Sequence, residues 1–272
     1  MADDGITAGY VAIDGVRTFY EETGPDDGED VVLVHTAGAD SLEWRYVLPE
    51  LGANGYHAYT LDLPGHGKSL PHPDGHLANM HAIAEFVWSF ADAVGVDAPV
   101  VAGCSIGGDV VLDLAAHHAD SLTGVVCLEG ALRTPTYPEG FLAMMETASG
   151  MPAFERFYHH ASIHCHGEDA IRERVEEHAF FHQHAIQEVT HADLTAWNKH
   201  DVRERADEIT CPVLYVYGEY DYFLPREYVE ETADALPSCQ LLTMEGIGHY
   251  PMLESDQFVD EMLSFLEQSS DR

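Results

Sequence analysis

Four stretches of this sequence, DVVLVH (30–35), YHAYTLD (56–62), APVVAGC (98–104) and LTGVVCL (122–128), are nearly continuous in β-branched or apolar residues. A strand with one face in water alternates apolar with polar side chains. A run without that alternation has to be covered on both faces, as the strands of a parallel sheet are. Amphipathic stretches at 41–53, 77–95 and 106–119 lie between these runs and predict helices. Strand alternating with helix predicts an α/β protein, with a mostly parallel sheet and helices on both of its faces. Two more strand candidates, 8–13 and 16–22, precede the first run.

The pattern changes near Glu129. From about 132 to 208 the sequence is helical in character, with candidate helices at 139–149, 152–163, 168–186 and 191–199. Sheet chemistry then returns with CPVLYVYG (211–218), a helix at 225–236, a strand at 239–244 and a last helix at 255–268, making eight strands in all. The expected organisation is a core from 1–131 and 209–272, with 132–208 inserted as a helical cap (lid) over the carboxyl edge of the sheet. Ligands of open parallel sheets bind at that edge. A chain of 272 residues, 46% of them apolar, can bury one substantial core and carry such an insertion.

Asp and Glu number 48 against 12 Lys and Arg, a formal net charge of −36. The carboxylates are spread along the chain with apolar segments between them, which argues against both an acidic tail and disorder. Self-repulsion of this size disfavours a compact state in dilute buffer. Salt relieves it, because the Debye length shrinks to about 3 Å at 1 M. The composition resembles that of proteins from extreme halophiles and implies folding and activity that need molar salt. No basic patch is available to neutralise phosphates, so nucleic-acid binding is not expected. No stretch approaches the roughly 18 to 20 apolar residues of a membrane helix. The start, MADDGITAGY, lacks the basic-then-apolar layout of a signal peptide. The five cysteines (104, 127, 165, 211 and 239) are scattered and include no CxxC, so they read as reduced thiols. A cytoplasmic protein is expected.

In VVAGCSIGGDVV (100–111), Ser105 sits between Gly103 and Gly107 where a strand ends and a helix begins. Gly-x-Ser-x-Gly in that setting is a nucleophile elbow, whose glycines let the backbone turn sharply and leave the hydroxyl exposed. A serine hydroxyl needs a base to take its proton. His249, in the glycine-rich EGIGHYPM (245–252), is singled out from 18 histidines by its place between the last strand and the last helix. The imidazole in turn needs an anion to fix its tautomer. Asp221, in YGEYDYFLP (217–225) just beyond the strand 211–218, is positioned to supply it. The chain order Ser, Asp, His is the one expected of α/β-hydrolases.

With these residues the sequence resembles the α/β-hydrolase family, in its lid-bearing esterase, lactonase and cofactor-free perhydrolase branch, from about residue 10 to 268. LDLPGHGKS (61–69) is similar to the family's D-x-x-G-x-G-x-S loop, and LVHTAGADSLEW (33–44) lies where the family has His-Gly-x. The resemblance implies an α/β-hydrolase fold with Ser105 as nucleophile, His249 as base and Asp221 as the acid that orients it. It also implies an oxyanion hole from the backbone N–H groups of Ala37 and Ile106. Thr36 departs from the pattern, placing a β-branched residue where a glycine follows the histidine; it is expected to bond within its loop or to touch substrate. Trp44 and Trp197 are further expected substrate contacts.

The implied activity is hydrolysis of a carboxylic ester or lactone of a small to medium organic molecule through an acyl-enzyme. C–C bond hydrolysis, perhydrolase or haloperoxidase chemistry and acyl transfer start from the same residues. A small-molecule receptor on the hydrolase scaffold is the alternative of another class. Serine at the elbow argues against epoxide hydrolases and haloalkane dehalogenases, which resemble this fold but place aspartate there. The expected partner is the ester or lactone substrate, with no nucleic acid, no membrane and no cofactor, and with a homodimer left open.

Glu129, at the end of the run 122–128, is a second place where relatives carry the triad acid, but a structural use is expected. His35 and His66 are expected to brace loops, with Lys68 an exposed charge. Nine histidines fall between 159 and 200, and the pairs His160/His164 and His178/His182 have i,i+4 spacing. That spacing puts each pair on one helical face and makes a zinc site conceivable. No compact ligand motif accompanies them, so no metal is expected.

Overall fold

The computed structural model describes residues 5–138, 140, 142–143 and 163–270. Eight strands form one sheet: β1 (Thr7–Ile13), β2 (Val16–Thr23), β3 (Asp30–Val34), β4 (His57–Leu61), β5 (Val100–Cys104), β6 (Gly124–Leu128), β7 (Val213–Gly218) and β8 (Cys239–Met244). Their order across the sheet is β1-β2-β4-β3-β5-β6-β7-β8. Only β1 with β2 and β2 with β4 run antiparallel. The other five pairings are parallel. Each strand expected from the sequence is present.

The continuous apolar runs are explained by what covers them. Val32, Val34, Val101, Val125, Val213 and Tyr215 face one apolar layer, with Phe86 and Phe90 of α2 (Met80–Val94) and Val110 and Leu114 of α3 (Ile106–His118). The alternate residues Val31, Leu33, Val100, Ala102, Val126, Leu214 and Val216 face the other. There they meet Leu48 and Leu51 of α1 (Leu48–Ala53) and Phe258, Met262 and Phe265 of α8 (Gln257–Ser270). Side chains of a strand alternate between faces, so burying both leaves no position for a polar residue. Each fully buried Val or Leu contributes about 1.5 to 3 kcal/mol relative to exposure. α2 is delimited by Asn79, whose side chain accepts from the Ala82 N–H at 2.8 Å, and by Gly95 in the left-handed region at φ 82°.

Two expected helices are shorter or broken. The stretch 41–53 is not one helix but a 3₁₀ turn, Ser41–Trp44, followed by α1. Pro49 has no N–H to bond back to the preceding turn, so the helix starts afresh with proline in its first turn. In place of 168–186 the chain forms α4 (Arg172–His182), because the residues before it are bonded elsewhere: Gly167 N–H donates to Glu254 at 2.8 Å. α5 (Gln187–Trp197) follows, then a 3₁₀ turn at Arg203–Glu208. α6 (Arg226–Ala235) and α7 (Pro251–Glu254) complete the described helices. The expected helices at 139–149 and 152–163, with His159 and His160, lie almost wholly outside the described residues. Among the described residues no helix is long and apolar enough to cross a membrane, and all five cysteines are free thiols.

Candidate active site

Ser105 follows β5 directly and caps α3 with φ 56° and ψ −119°. A non-glycine residue in that region is strained, and such strain is held only where the surroundings over-determine it. Here backbone packing does so. A Cβ on Gly107 would approach the Val34 carbonyl oxygen at 2.5 Å, and one on Gly103 would run into the Gly107 carbonyl. The start of α3 is thus pressed onto β3 and β5 at a distance only glycine permits. Ser105 N–H is fixed by the Leu128 carbonyl at 2.9 Å.

His249 and Asp221 meet beside this turn. His249 Nδ1 lies 2.9 Å from Asp221 Oδ1, with both side chains buried, although the contact falls short of hydrogen-bond alignment. The thiol of Cys104, the residue before Ser105, donates to the His249 carbonyl at 3.3 Å, so the two segments touch. The His249 loop is held from below by the wholly buried Glu254, whose carboxylate accepts the N–H groups of Gly248 (2.7 Å), Tyr250 (2.9 Å) and Gly167 (2.8 Å). His249 N–H itself donates to the Cys165 carbonyl at 2.8 Å. Burial alone would raise the pKa of Asp221; the adjoining His249 ring, with the Glu129 carboxyl and the Phe223 N–H, brings it below the usual carboxylate range.

Glu129 stands on the far side of Asp221. Its Oε1 accepts from Gly218 N–H at 2.5 Å, and its backbone is left-handed at φ 51°. Glu129 Oε2 and Asp221 Oδ2 are both buried, and among the described residues no other group bonds to either. Burial, and then the charge of Asp221, push the Glu129 carboxyl well above its ordinary pKa. A proton on Glu129 supplies the donor that the two facing acids otherwise lack. Burial and the facing charge both favour the protonated, neutral form of Glu129 beside Asp221.

The loop from 35 to 38 carries the expected oxyanion group on Ala37. Its neighbours account for Thr36. The Thr36 N–H and hydroxyl donate to the buried Glu43 carboxylate at 2.7 and 2.8 Å, so Thr36 is tied within its own loop. His182 Nε2 lies 3.2 Å from the Ala37 carbonyl, and Asp193 of α5 accepts from Gly38 N–H at 3.0 Å. Asp193 also pairs with His66 at 2.8 Å, and His35 bridges Thr36 O (2.7 Å) and Leu63 N–H (3.1 Å). Among the described residues the backbone N–H groups of Ala37 and Ile106 donate to no acceptor of the chain.

Burial sets the protonation of this ring of groups. It pushes Glu43 up to about 7 against the two Thr36 bonds. It pushes His35 down to about 3, helped by His66, and His182 down to about 4. Burial would also lower His66, but the charge and hydrogen bond of Asp193 outweigh it and raise the value. A cavity of about 340 Å³ opens along this loop, lined among others by Gly38, Glu43, Arg45, His66, His178 and His182.

Trp44, one of the expected substrate contacts, has no exposed surface. It packs with Leu33, Val47 and Leu51 in the apolar layer, which makes it a core residue. Trp197 is almost as buried, in the layer against α3, with its ring centroid 4.9 Å from that of Tyr137. His178 and His182 are neighbours with ring centroids 4.9 Å apart, and His160 lies outside the described residues. Glu129, Asp221 and His249 keep their donor atoms within 4.8 Å of one another, and the acid pair and the His249 contact already account for that closeness.

The chain is 26% identical to a pimeloyl-[acyl-carrier protein] methyl ester esterase of Vibrio atlanticus, over 89% of this chain and 95% of that one. Among solved structures it superposes on the enol-lactonase of Burkholderia xenovorans with a TM-score of 0.85 at 22% identity, covering 95% of this chain and 100% of the other. A thermophilic esterase of Thermogutta terrifontis matches with a TM-score of 0.84 at 24% identity, covering 96% and 99%. The profile of the alpha/beta hydrolase fold family matches residues 30–256, and the chain belongs to that family.

Proposed function

We propose that the protein is a serine hydrolase of carboxylic esters or lactones of small to medium organic molecules. The observation that carries this reading is the left-handed Ser105 on its glycine-packed turn, with Cys104 bonded to the backbone of His249. In the reaction, Ser105 Oγ attacks the carbonyl carbon and its proton passes to His249. Asp221 holds the ring and offsets the charge of the imidazolium. The N–H groups of Ala37 and Ile106 receive the oxyanion, each worth about 2.7 to 4 kcal/mol in comparable sites. His249 returns its proton to the leaving alkoxide, and water then releases the acid by the same steps in reverse order. The relatives named as esterases and a lactonase support this substrate class. Residues 132–208 act as the cap over this site, on a core formed by 1–131 and 209–272.

The net charge of −36 supports a working medium of molar salt, so the assay is run in about 2 M KCl. Ser105→Ala is expected to lower turnover of a short-chain p-nitrophenyl ester by about 10³-fold or more while leaving the circular dichroism spectrum unchanged. A fluorophosphonate probe is expected to label the parent and not the variant. Retention of the parent rate by Ser105→Ala overturns the assignment.

A further inference from the structure

The helix that begins after Ser105 carries a second cluster near its other end. Asp113 and His117 lie one turn apart on α3, and His81 reaches them from the first turn of α2. His81 Nδ1 is 2.7 Å and His117 Nδ1 3.2 Å from the same oxygen, Asp113 Oδ1. The two imidazole rings lie against each other with centroids 4.2 Å apart. The donor atoms of the three residues all fall within 4.8 Å of one another. Asp113 is nearly buried, whereas the His81 side chain is 49% exposed, so a solute can reach the cluster.

Hydrogen bonds occupy the cluster as it stands: His81 Nδ1 lies 2.7 Å from Asp113 Oδ1 and His117 Nδ1 2.8 Å from the Asp113 main-chain carbonyl. His117 Nδ1 also faces the Asp113 carboxylate, at 3.2 Å. Once the two imidazole nitrogens give up their protons, they and the Asp113 carboxylate also make the donor set of a His₂–Asp metal site. A tetrahedral zinc ion with bonds of about 2.0–2.2 Å needs its donors about 3.4 Å apart, so the contacts of 2.7 and 3.2 Å have to open by a few tenths of an ångström as the ion enters, a shift that the exposed His81 side chain can make. The neighbouring cations are already neutralised. Arg203 is paired with Asp201 and Glu231, and Arg205 with Glu208. The cluster opens on a depression of about 720 Å³, which leaves room for water as the remaining ligand.

We propose that His81, Asp113 and His117 bind one divalent transition-metal ion of the zinc type, which ties α2 to α3. Two imidazoles with one carboxylate and an open position suit such ions rather than Mg²⁺ or Ca²⁺, which prefer all-oxygen sites. Asp113 and His117 lie about 12 to 18 Å along α3 from Ser105, so the ion stabilises the helix that carries the nucleophile without entering the reaction. This inference is independent of the proposed activity.

The test uses full-length protein stripped with a chelator, then dialysed into about 2 M KCl so that diffuse attraction of cations to the acidic surface is screened. Calorimetric titration with Zn²⁺ is expected to find one strong site per chain, and Co²⁺ to give visible absorption bands of a low-symmetry site. His81→Ala and His117→Ala are each expected to weaken that site at least tenfold and to abolish the rise in thermal midpoint that Zn²⁺ gives the parent. Ester turnover of the stripped variants reads whether the fold persists. If His117→Ala fails to fold, His81→Asn, at an exposed position, is read in its place. Zinc binding by the variants with the stoichiometry and affinity of the parent, or no zinc binding by the parent, overturns the proposal.

Discussion

The turn at Ser105 and the loop at 36–38 adjoin each other, since Gly107 packs on the carbonyls of Val34 and His35, yet they are held in place by different means. The turn is fixed by backbone against backbone, Gly107 on β3 and Ser105 N–H on the Leu128 carbonyl. The loop is fixed by side chains: Glu43, seven residues on, holds Thr36, and His182 and Asp193 reach Ala37 and Gly38 from far along the chain. A site can therefore join a part set by backbone packing to one set by side-chain bonds. The two parts should fail differently when disturbed.

The largest expected effect is on the backbone-fixed part. Gly107→Ala drives a methyl group to 2.5 Å from a carbonyl oxygen that cannot move without shifting β3. It should cost about 3 kcal/mol or more, at the upper end for overpacking, and remove turnover; denaturant titration alongside an ester assay checks both. Asp193→Asn disturbs the side-chain-fixed part instead. It weakens the Gly38 and His66 contacts, and about 2 kcal/mol and a tenfold or greater loss of kcat are expected, with the fold retained. A variant that loses stability but no kcat would break the proposed division.

The next effect is of pH. His35 and His182 are held neutral when folded, at about 3 and about 4, whereas the unfolded chain takes up protons below about 6.5. The unfolded state then binds more protons, so stability falls as pH drops from about 6.5 towards those values, by about 1.4 kcal/mol per pH unit for each ring. His182→Gln, whose amide still reaches the Ala37 carbonyl, should flatten that slope in thermal scans between pH 7 and 5. The smallest effect is expected from Glu129→Gln. A neutral acid replaced by a neutral amide of the same shape should leave kcat within about twofold and stability within about 1 kcal/mol. A large change would mean that Glu129 is ionised.

The same division explains what the sequence revealed. The inner strands β3 to β7 were readable because strands covered on both faces leave continuous apolar runs, and the turn at Ser105 because close backbone packing leaves glycines. His249 and Asp221 could be picked out by their place after strands, since the strand ends deliver them. Glu43, His182, Asp193 and Glu254 carried no such mark. Asp193 lies 155 residues from Gly38, and nothing in its own neighbourhood distinguishes it from the other acids of the chain. Trp44 misled for a related reason: an aromatic residue near a candidate loop has the composition of a pocket wall, but its side chain turns into the apolar layer. The break in 41–53 was visible as Pro49, once the cost of proline to a preceding turn is counted.

The stretch between β6 and β7 gives the Cys165 carbonyl to His249 and the Asp193 carboxylate to Gly38. Exchanging that stretch for the equivalent piece of another hydrolase would thus be more than a change of entrance. A chimaera without equivalents of both groups inherits a loosened His249 segment and a loosened 36–38 loop, so efforts to redirect selectivity by grafting should transplant these anchors together with the walls.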